Sequence, residues 1–299
     1  MTAVSLEPRP VLAPAPARRR RTIRRSPGSL VAGGAATVLL WGYAIVAIVP
    51  LVVMVLDSFR SNTDVLSRPL GLPTSPSLHS YSVAWSQASF ATYLQNSAMV
   101  TIGAVLLDVC VSLPAAYALG RYSFRGGGVL TAYFLSGLML PIRLGILPIF
   151  YLLGDFHMID SRLGLILVYA ASGIPFSVFI LAAFFRGLPN EIEEAARIDG
   201  AGEFRIFLNV MMPLVRPAIA TVVVFRFVPL WSDFFFPLIL LRSTNKYTLP
   251  VGLSQFFGEF QTDWSALFAG LVIATVPLVV LFVVATKQIV AGLTAGMSR

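Results

Sequence analysis

Residues 163–214 read LGLILVYAASGIPFSVFILAAFFRGLPNEIEEAARIDGAGEFRIFLNVMMPL. The first part, Leu163–Phe185, is apolar over a length that crosses a bilayer core of about 30 Å as a helix rising about 1.5 Å per residue. The second part, 188–214, has a different chemistry. Asn190 is suited to cap a helix, and Glu193 three residues later completes a capping box. Glu191, Glu193 and Glu194 favour the positive end of that helix. Asp199-Gly200 then makes a turn, with Gly200 suited to the left-handed position after a helix end. A second short helix, 203–211, is predicted to stop before Pro213. Helices of about two turns cannot cross a bilayer. They are expected to lie against the membrane face and offer a surface to a soluble partner.

The same alternation extends outward through the chain. Spans are predicted at about 30–56, 97–119, 129–153, 163–185, 217–241 and 266–286. The 299 residues are 57% hydrophobic and only 12% charged, with a mean hydropathy of +0.80. That excludes a water-soluble domain, which carries about twice the charged fraction. Each span has to satisfy its own backbone polar groups, so the fold class is an all-α polytopic membrane protein with six transmembrane helices. Residues 1–29, rich in Pro, Ala and Arg, read as a basic disordered tail, and 30–299 as the membrane domain. No internal repeat is visible. Cys110 is the sole cysteine, so no intramolecular disulfide forms.

The net charge of +8 is a topology signal and not a nucleic-acid signal. Seven of the 22 basic residues (Arg9, Arg18, Arg19, Arg20, Arg21, Arg24 and Arg25) precede the first span. Specific binding of anionic lipid is the other reading of that run. The apolar stretch after it is too long for a signal-peptide core and is read as a retained span. With the N-terminus inside, the inner segments hold fifteen basic residues and the outer loops five, which places both termini in the cytoplasm. Two outer loops are long, about 57–96 and 242–265. Trp85, Tyr93 and Trp264 in and around them are expected as interface anchors.

Glu194-Ala195-Ala196, then Asp199-Gly200-Ala201, then Pro213-Leu214 resembles the EAA loop of permease subunits of binding-protein-dependent ABC importers. Ala116-Tyr117-Ala118-Leu119-Gly120-Arg121-Tyr122-Ser123-Phe124-Arg125-Gly126, Leu163-Gly164-Leu165-Ile166-Leu167, Trp231-Ser232-Asp233-Phe234 and Gly292-Leu293-Thr294-Ala295-Gly296 are similar to the shorter, six-span subunit of the maltose-type sugar permeases. The resemblance covers about residues 30–299, with a core module at about 93–286. Ser232 stands where that family usually has Asn, and Lys287-Gln288 where it has Gln-Arg.

The resemblance implies a type I ABC importer permease fold and a place in the cell membrane as half of a sugar pathway. Its implied partners are a second permease, two ATPase subunits and an extracytoplasmic sugar-binding protein. It makes 188–214 the coupling loop, with Glu194, Ala195, Ala196, Asp199, Gly200, Ala201 and Pro213 as docking residues. Small alanines permit close approach, and Glu194 offers an acceptor to a basic residue of the ATPase. It also implies that Gln255, Phe256, Phe257, Gly258, Glu259 and Phe260 in the last outer loop meet the binding protein. Glycerol phosphate and related solutes use similar permeases.

No enzyme is expected. The two lysines, Lys246 and Lys287, are followed by Tyr247 and Gln288, so there is no Walker A loop and ATP hydrolysis falls to a partner. His79 and His157 lie in different loops, which predicts no metal site and no cofactor, and no nucleophile elbow occurs. Four charges fall at membrane depth: Asp108, Arg143, Arg226 and Asp233. Such residues are costly and therefore mark either structural pairing or a polar pathway; Trp231 joins them as a pathway candidate. Arg226 and Asp233 are seven apart and are placed on one face of a helix. Their gap along the axis is too long for an ion pair, so Asp108 is expected to pair with Arg226 or Arg143, and Asp233 to face the bundle interior. The rival functions are a secondary transporter, which needs ion-coupling residues, and a membrane-embedded enzyme.

Overall fold

The structure, a computed structural model, describes residues 27–87, 89–254 and 263–297, with side chains over 36–86, 89–254 and 263–285. The described residues form helices and connecting turns, without strands. In chain order these are α1 (Pro27–Asp57), α2 (Asn62–Ser67), α3 (His79–Gln87), α4 (Phe90–Arg121), α5 (Gly127–Met139), α6 (Ile146–Asp155) and α7 (Arg162–Arg186). Then follow α8 (Glu191–Ile198), α9 (Glu203–Arg205), α10 (Met212–Leu214), α11 (Arg216–Trp231), α12 (Phe235–Leu240), α13 (Leu249–Ser254) and α14 (Trp264–Met297). The chain divides into two compact units, up to Pro50 and from Leu51 onward. The first is the leading part of α1, which starts on Pro27, a residue whose fixed φ suits a first helical turn.

Among the described residues, four helices are long and apolar enough to cross a membrane: Ala36–Asp57, Phe90–Arg121, Arg162–Arg186 and Trp264–Ala285. The third predicted span is not one helix. α5 and the segment Ile142–Asp155 meet at 86°. Pro141 forces Leu140 before it out of the helical region, at φ −86° and ψ 119°, and the chain restarts through a 3-10 turn at Ile142–Gly145. The fifth span is broken as well. α11 ends at Trp231, and α12 begins only after Ser232–Phe234. Counting two bent pairs, Gly127–Met139 with Ile142–Asp155 and Glu203–Leu214 with Arg216–Trp231, as one span each gives up to six crossings among the described residues.

In the second unit α4 and α7 run side by side in the same direction. Gly103 faces Ile166, Gly173 faces Asp108 and Gly120 faces Phe185, so the register holds over the whole contact. Small residues permit this closeness: a Cβ on Gly120 would lie 2.8 Å from that of Phe185. α11 packs across both helices and against α14. Apolar clusters are stacked along the bundle. Leu113, Tyr117, Leu181, Phe185, Ile206 and Met211 fill the end next to the 188–214 loop. Val100, Leu165, Tyr169, Phe236 and Leu240 fill the middle and far half. Phe90, Tyr93, Trp231, Leu249 and Leu267 seal the third contact, between α4, α11, α13 and α14. Tyr93 is thus core and not an interface anchor; a side chain at Gly252 would overlap its ring. Trp85 stays half-exposed.

Candidate functional site

The 188–214 loop folds on its own signals, with two corrections. The C-terminal end of α8 is as the Asp-Gly pair predicts. Gly200 has φ +79°, the Ala201 N–H donates to Ala196 C=O at 3.0 Å, and the Gly200 N–H donates to Arg197 C=O at 3.0 Å. Those two bonds make a Schellman end, which only glycine enters without strain. The other end differs. Asn190 is helical (φ −70°, ψ −29°) and makes no side-chain cap bond, so the capping box does not form.

Glu193 is buried and has another partner. Arg121, the last residue of α4, donates from Nε to Glu193 Oε1 at 2.9 Å. Its Nη1 reaches the carbonyls of Phe185 (3.2 Å) and Leu188 (2.8 Å), and Nη2 that of Pro189 (3.4 Å). These are carbonyls at and just beyond the end of α7, the groups that a helix terminus leaves unpaired.

The second correction concerns Pro213. The helix does not stop before it. Ile206–Met211 widens into a π turn and α10 carries Pro213 in its first turn, where a missing N–H costs nothing. The chain then bends by 71° into α11. Glu203 ties this second helix back. It accepts from Arg197 Nε at 2.7 Å and from Nη2 at 3.2 Å, and the Tyr122 hydroxyl donates to it. Arg197, then Tyr122, hold its carboxyl down to about 2. Since Arg197 Nη2 also lies 3.7 Å from Glu193 Oε2, the set Arg121, Glu193, Arg197, Glu203 and Tyr122 closes a ring that begins and ends on adjacent residues of the α4 terminus.

Outward from this ring the loop presents exposed Glu194, Ala195, Asp199 and Gly200. Two apolar side chains flank them, Ile198 at 86% exposure and Phe204 at 76%. Ala196 and Ala201 are half-buried beneath. A small-residue surface with two apolar projections and the exposed carboxylates of Glu194 and Asp199 suits a concave partner.

Within the bundle the four charges form two linked sites. Asp108, buried on α4, accepts from Ser112 Oγ at 2.9 Å, Ser177 Oγ at 3.0 Å and Arg226 Nε at 3.0 Å. Arg226 Nη2 also donates to Tyr169 C=O at 2.7 Å and Ser172 Oγ at 3.1 Å. Gly173 makes room for this: a Cβ there would overlap Asp108 Oδ2 and Arg226 Nε. Asp233 is buried too, but not on the α11 face that the seven-residue spacing suggests, because it lies beyond the helix end. Its Oδ2 accepts from the Tyr169 hydroxyl at 2.7 Å and, as a cap on α12, from Phe236 N–H at 3.2 Å. Arg143 is its ionic partner at 3.5 Å and is 69% exposed, sited in the 3-10 turn that follows Pro141. Tyr169 bridges the two sites, with its carbonyl on Arg226 and its hydroxyl on Asp233. Trp231 is buried and donates to Ala274 C=O of α14 at 3.0 Å, stacked on Phe227.

At the end of the bundle away from the loop, Arg60 is buried between Asp57 (2.6 Å) and Asp64 (2.8 Å) and organises the segment after α1. Asp160, at φ +55°, accepts from the N–H groups of Arg242 (2.9 Å) and Ser243 (3.0 Å) and from Lys246 Nζ (2.9 Å). Burial pushes its carboxyl up, but these donors and the Ser243 hydroxyl outweigh it and hold it well below the usual carboxylate range. Gln255, Phe256, Phe257, Gly258, Glu259 and Phe260 lie outside the described residues.

Arg121, Tyr122, Tyr169 and Gly173 carry these sites without having been singled out by periodicity. Arg121 was legible as an inner positive charge and as part of the 116–126 stretch similar to the sugar permeases, without a role of its own. The signal available for it was its place at the end of a span, opposite an acidic connector.

The family model described as "Binding-protein-dependent transport system inner membrane component" matches residues 112–295. The diacetylchitobiose uptake system permease protein NgcG of Streptomyces coelicolor is 36% identical over 266 residues, 88% of this chain and 87% of that one. The arabinooligosaccharides transport system permease protein AraQ of Halalkalibacterium halodurans is 33% identical over 257 residues, 85% of this chain and 91% of that one. In three dimensions the chain matches a subunit of a bacterial ABC transporter involved in import of the acidic polysaccharide alginate. The TM-score is 0.80 with 24% identity, covering 88% of this chain and 98% of that one, a likeness of fold.

Proposed function

The chain belongs to the family of binding-protein-dependent transport system inner membrane components, and from that we propose that it is the permease subunit of an ATP-driven importer of carbohydrate, forming half of its pathway. The relatives named for diacetylchitobiose and arabinooligosaccharides support the solute class. A second permease completes the pathway, two ATPase subunits sit on the cytoplasmic side, and a sugar-binding protein delivers from outside. The distribution of basic residues supports a cytoplasmic side for the termini and the 188–214 loop.

The observation that carries the reading is the exposed surface of that loop, built on the buried Arg121–Glu193 pair. Ile198 and Phe204 enter a cleft of the ATPase, Ala195 and Ala196 permit close approach, and Glu194 accepts from a basic residue there. Closure of the ATPases on ATP moves the loop and switches the pathway from inward-facing to outward-facing. Among the intramembrane groups, Arg143 is the pathway candidate of choice, with Asp233 beside it. An exposed guanidinium at membrane depth is too costly to face lipid, and its spare N–H donors suit sugar hydroxyls. Asp108, Arg226 and Trp231 support the packing around that face.

Glu194→Lys or Gly200→Pro tests the docking. Either variant is expected to insert with its partner permease and to lose binding-protein-stimulated ATP hydrolysis in the reconstituted complex. Stimulated hydrolysis at the wild-type rate counts against the docking role.

A further inference from the structure

We propose that Arg121 is a positioning residue for coupling: it makes α8, α9 and the adjoining ends of α4 and α7 a single rigid body, so that displacement of the loop is delivered into α4. The inference rests on the docking role of the loop and adds the route by which its motion enters the membrane.

Chain connectivity alone joins the loop to α7 before it and to α11 after it. Nothing covalent joins it to α4. That link is made by the side-chain ring and by the apolar contact of Leu113 and Tyr117 with Ile206, Phe207 and Met211. Arg121 is almost fully buried and spends its donors on Glu193 and three carbonyls of the 185–189 segment. Tyr122 next to it holds Glu203, and Arg197 closes the circuit between the two acidic residues. The planar fork of arginine is needed here, because a lysine ammonium can reach the carboxylate but not all the carbonyls. Without Arg121, Glu193 is left a buried carboxylate whose nearest remaining cation is 3.7 Å away and half-exposed.

The two routes out of the loop reunite. α11 continues from α10 and carries Arg226. α4 carries Asp108 thirteen residues before Arg121, roughly 20 Å along the helix. Asp108 and Arg226 are bonded to each other at 3.0 Å. A displacement of the loop therefore reaches this pair from both sides, through α11 by the backbone and through α4 by the Arg121 clamp, with the Tyr122–Glu203 bond and the packing of Tyr117 on Phe207 beside it. Loss of Arg121 leaves the first route and takes from the second its one buried ionic clamp, so that the second loosens.

The test uses the assembled complex of this chain with its second permease and ATPases, in lipid nanodiscs, with Cys110→Ala. Spin labels at Gln95→Cys, exposed near the far end of α4, and Gly202→Cys, exposed between α8 and α9, report one distance. It is measured by pulsed electron resonance without nucleotide and after trapping with ATP and vanadate. In the parent chain the distance is expected to be the same in both states. With Arg121→Gln it is expected to shift on trapping by about one helical turn, roughly 5 Å. Arg121→Lys, which keeps the pair with Glu193, is expected to shift less. Glu193→Gln should behave as Arg121→Gln does, and the double variant no worse than either, since both break one clamp. A distance that changes on trapping in the parent chain overturns the rigid body. A distance that stays fixed in Arg121→Gln overturns the role of Arg121. Failure of the docking reading itself shows elsewhere, as undiminished stimulated hydrolysis in Glu194→Lys, where the clamp is intact.

Discussion

Gly173→Ala adds one methyl group to α7 at its tightest point. The new Cβ would overlap Asp108 Oδ2 and Arg226 Nε and lie 2.5 Å from Arg226 Nη2. Relief requires the Asp108–Arg226 pair to retreat by roughly 1 Å, because carbon contacts are comfortable only near 3.5 Å. The bonds at stake are Ser177 Oγ to Asp108 and Arg226 Nε to Asp108, both 3.0 Å. A retreat of that size takes them out of hydrogen-bonding range. Bonds to a charged group contribute about 1.5–3 kcal/mol each, and disrupting a buried pair costs about 3–5 kcal/mol. Alanine in place of glycine in a helix returns about 1 kcal/mol. The net expectation is a loss of about 2–4 kcal/mol. Gly128→Ala in α5 is the control, since a Cβ there meets nothing within 4 Å; it should gain up to about 1 kcal/mol. Reversible unfolding of the chain in mixed micelles by increasing sodium dodecyl sulfate reads both. If Gly173→Ala is no less stable than Gly128→Ala, the close approach of α7 to the pair does not exist and the packing argument fails.

Asp108→Asn alone should lower assembly with the second permease, and Arg226→Gln added to it should restore part of the loss. Double-variant yields that are the sum of the singles would refute pairing. Glu203, depressed to about 2 against an unfolded value near 4.3, should keep its tie to Arg197 at neutral pH. Because the folded value is the lower one, its contribution is complete above the unfolded value and is lost only as pH falls from about 4 toward 2. Infrared titration of the labelled carboxyl should show that midpoint, and Arg197→Gln should raise it; an ordinary midpoint in the parent chain contradicts the ring. Replacing Gln255–Phe260 by a Gly/Ser linker should impair binding-protein-dependent uptake while the ATPases remain bound, and normal uptake kinetics would remove that loop from the binding-protein contact.

What the sequence by itself determined is what depends on local chemistry. Apolar stretches of membrane length had to become helices, because no other local structure satisfies a backbone in lipid. Asp199-Gly200 had to end α8, because Gly200 alone accepts φ +79° without strain. The EAA pattern fixed the family, and a charge at membrane depth had to find a partner, which identified Asp108 and Arg226 as a possible pair. Local chemistry misled where two local options compete. Glu193 satisfies the capping-box spacing, yet a buried guanidinium from α4 outbids a backbone N–H for its carboxylate. Pro213 is a helix breaker in isolation, yet a π turn ahead of it absorbs the missing bond. Pro141 looked no different from Pro175 inside α7, yet one sits at an 86° bend and the other within a continuous helix. Tertiary structure alone decided which cation met which carboxylate. Arg226 reaches Asp108 and Arg143 reaches Asp233 because Gly173 lets α7 close on α4, and because α11 ends before Asp233. Ion pairing depends on distances between helices, and those are set by side chains tens of residues apart, beyond the reach of any periodicity along one segment.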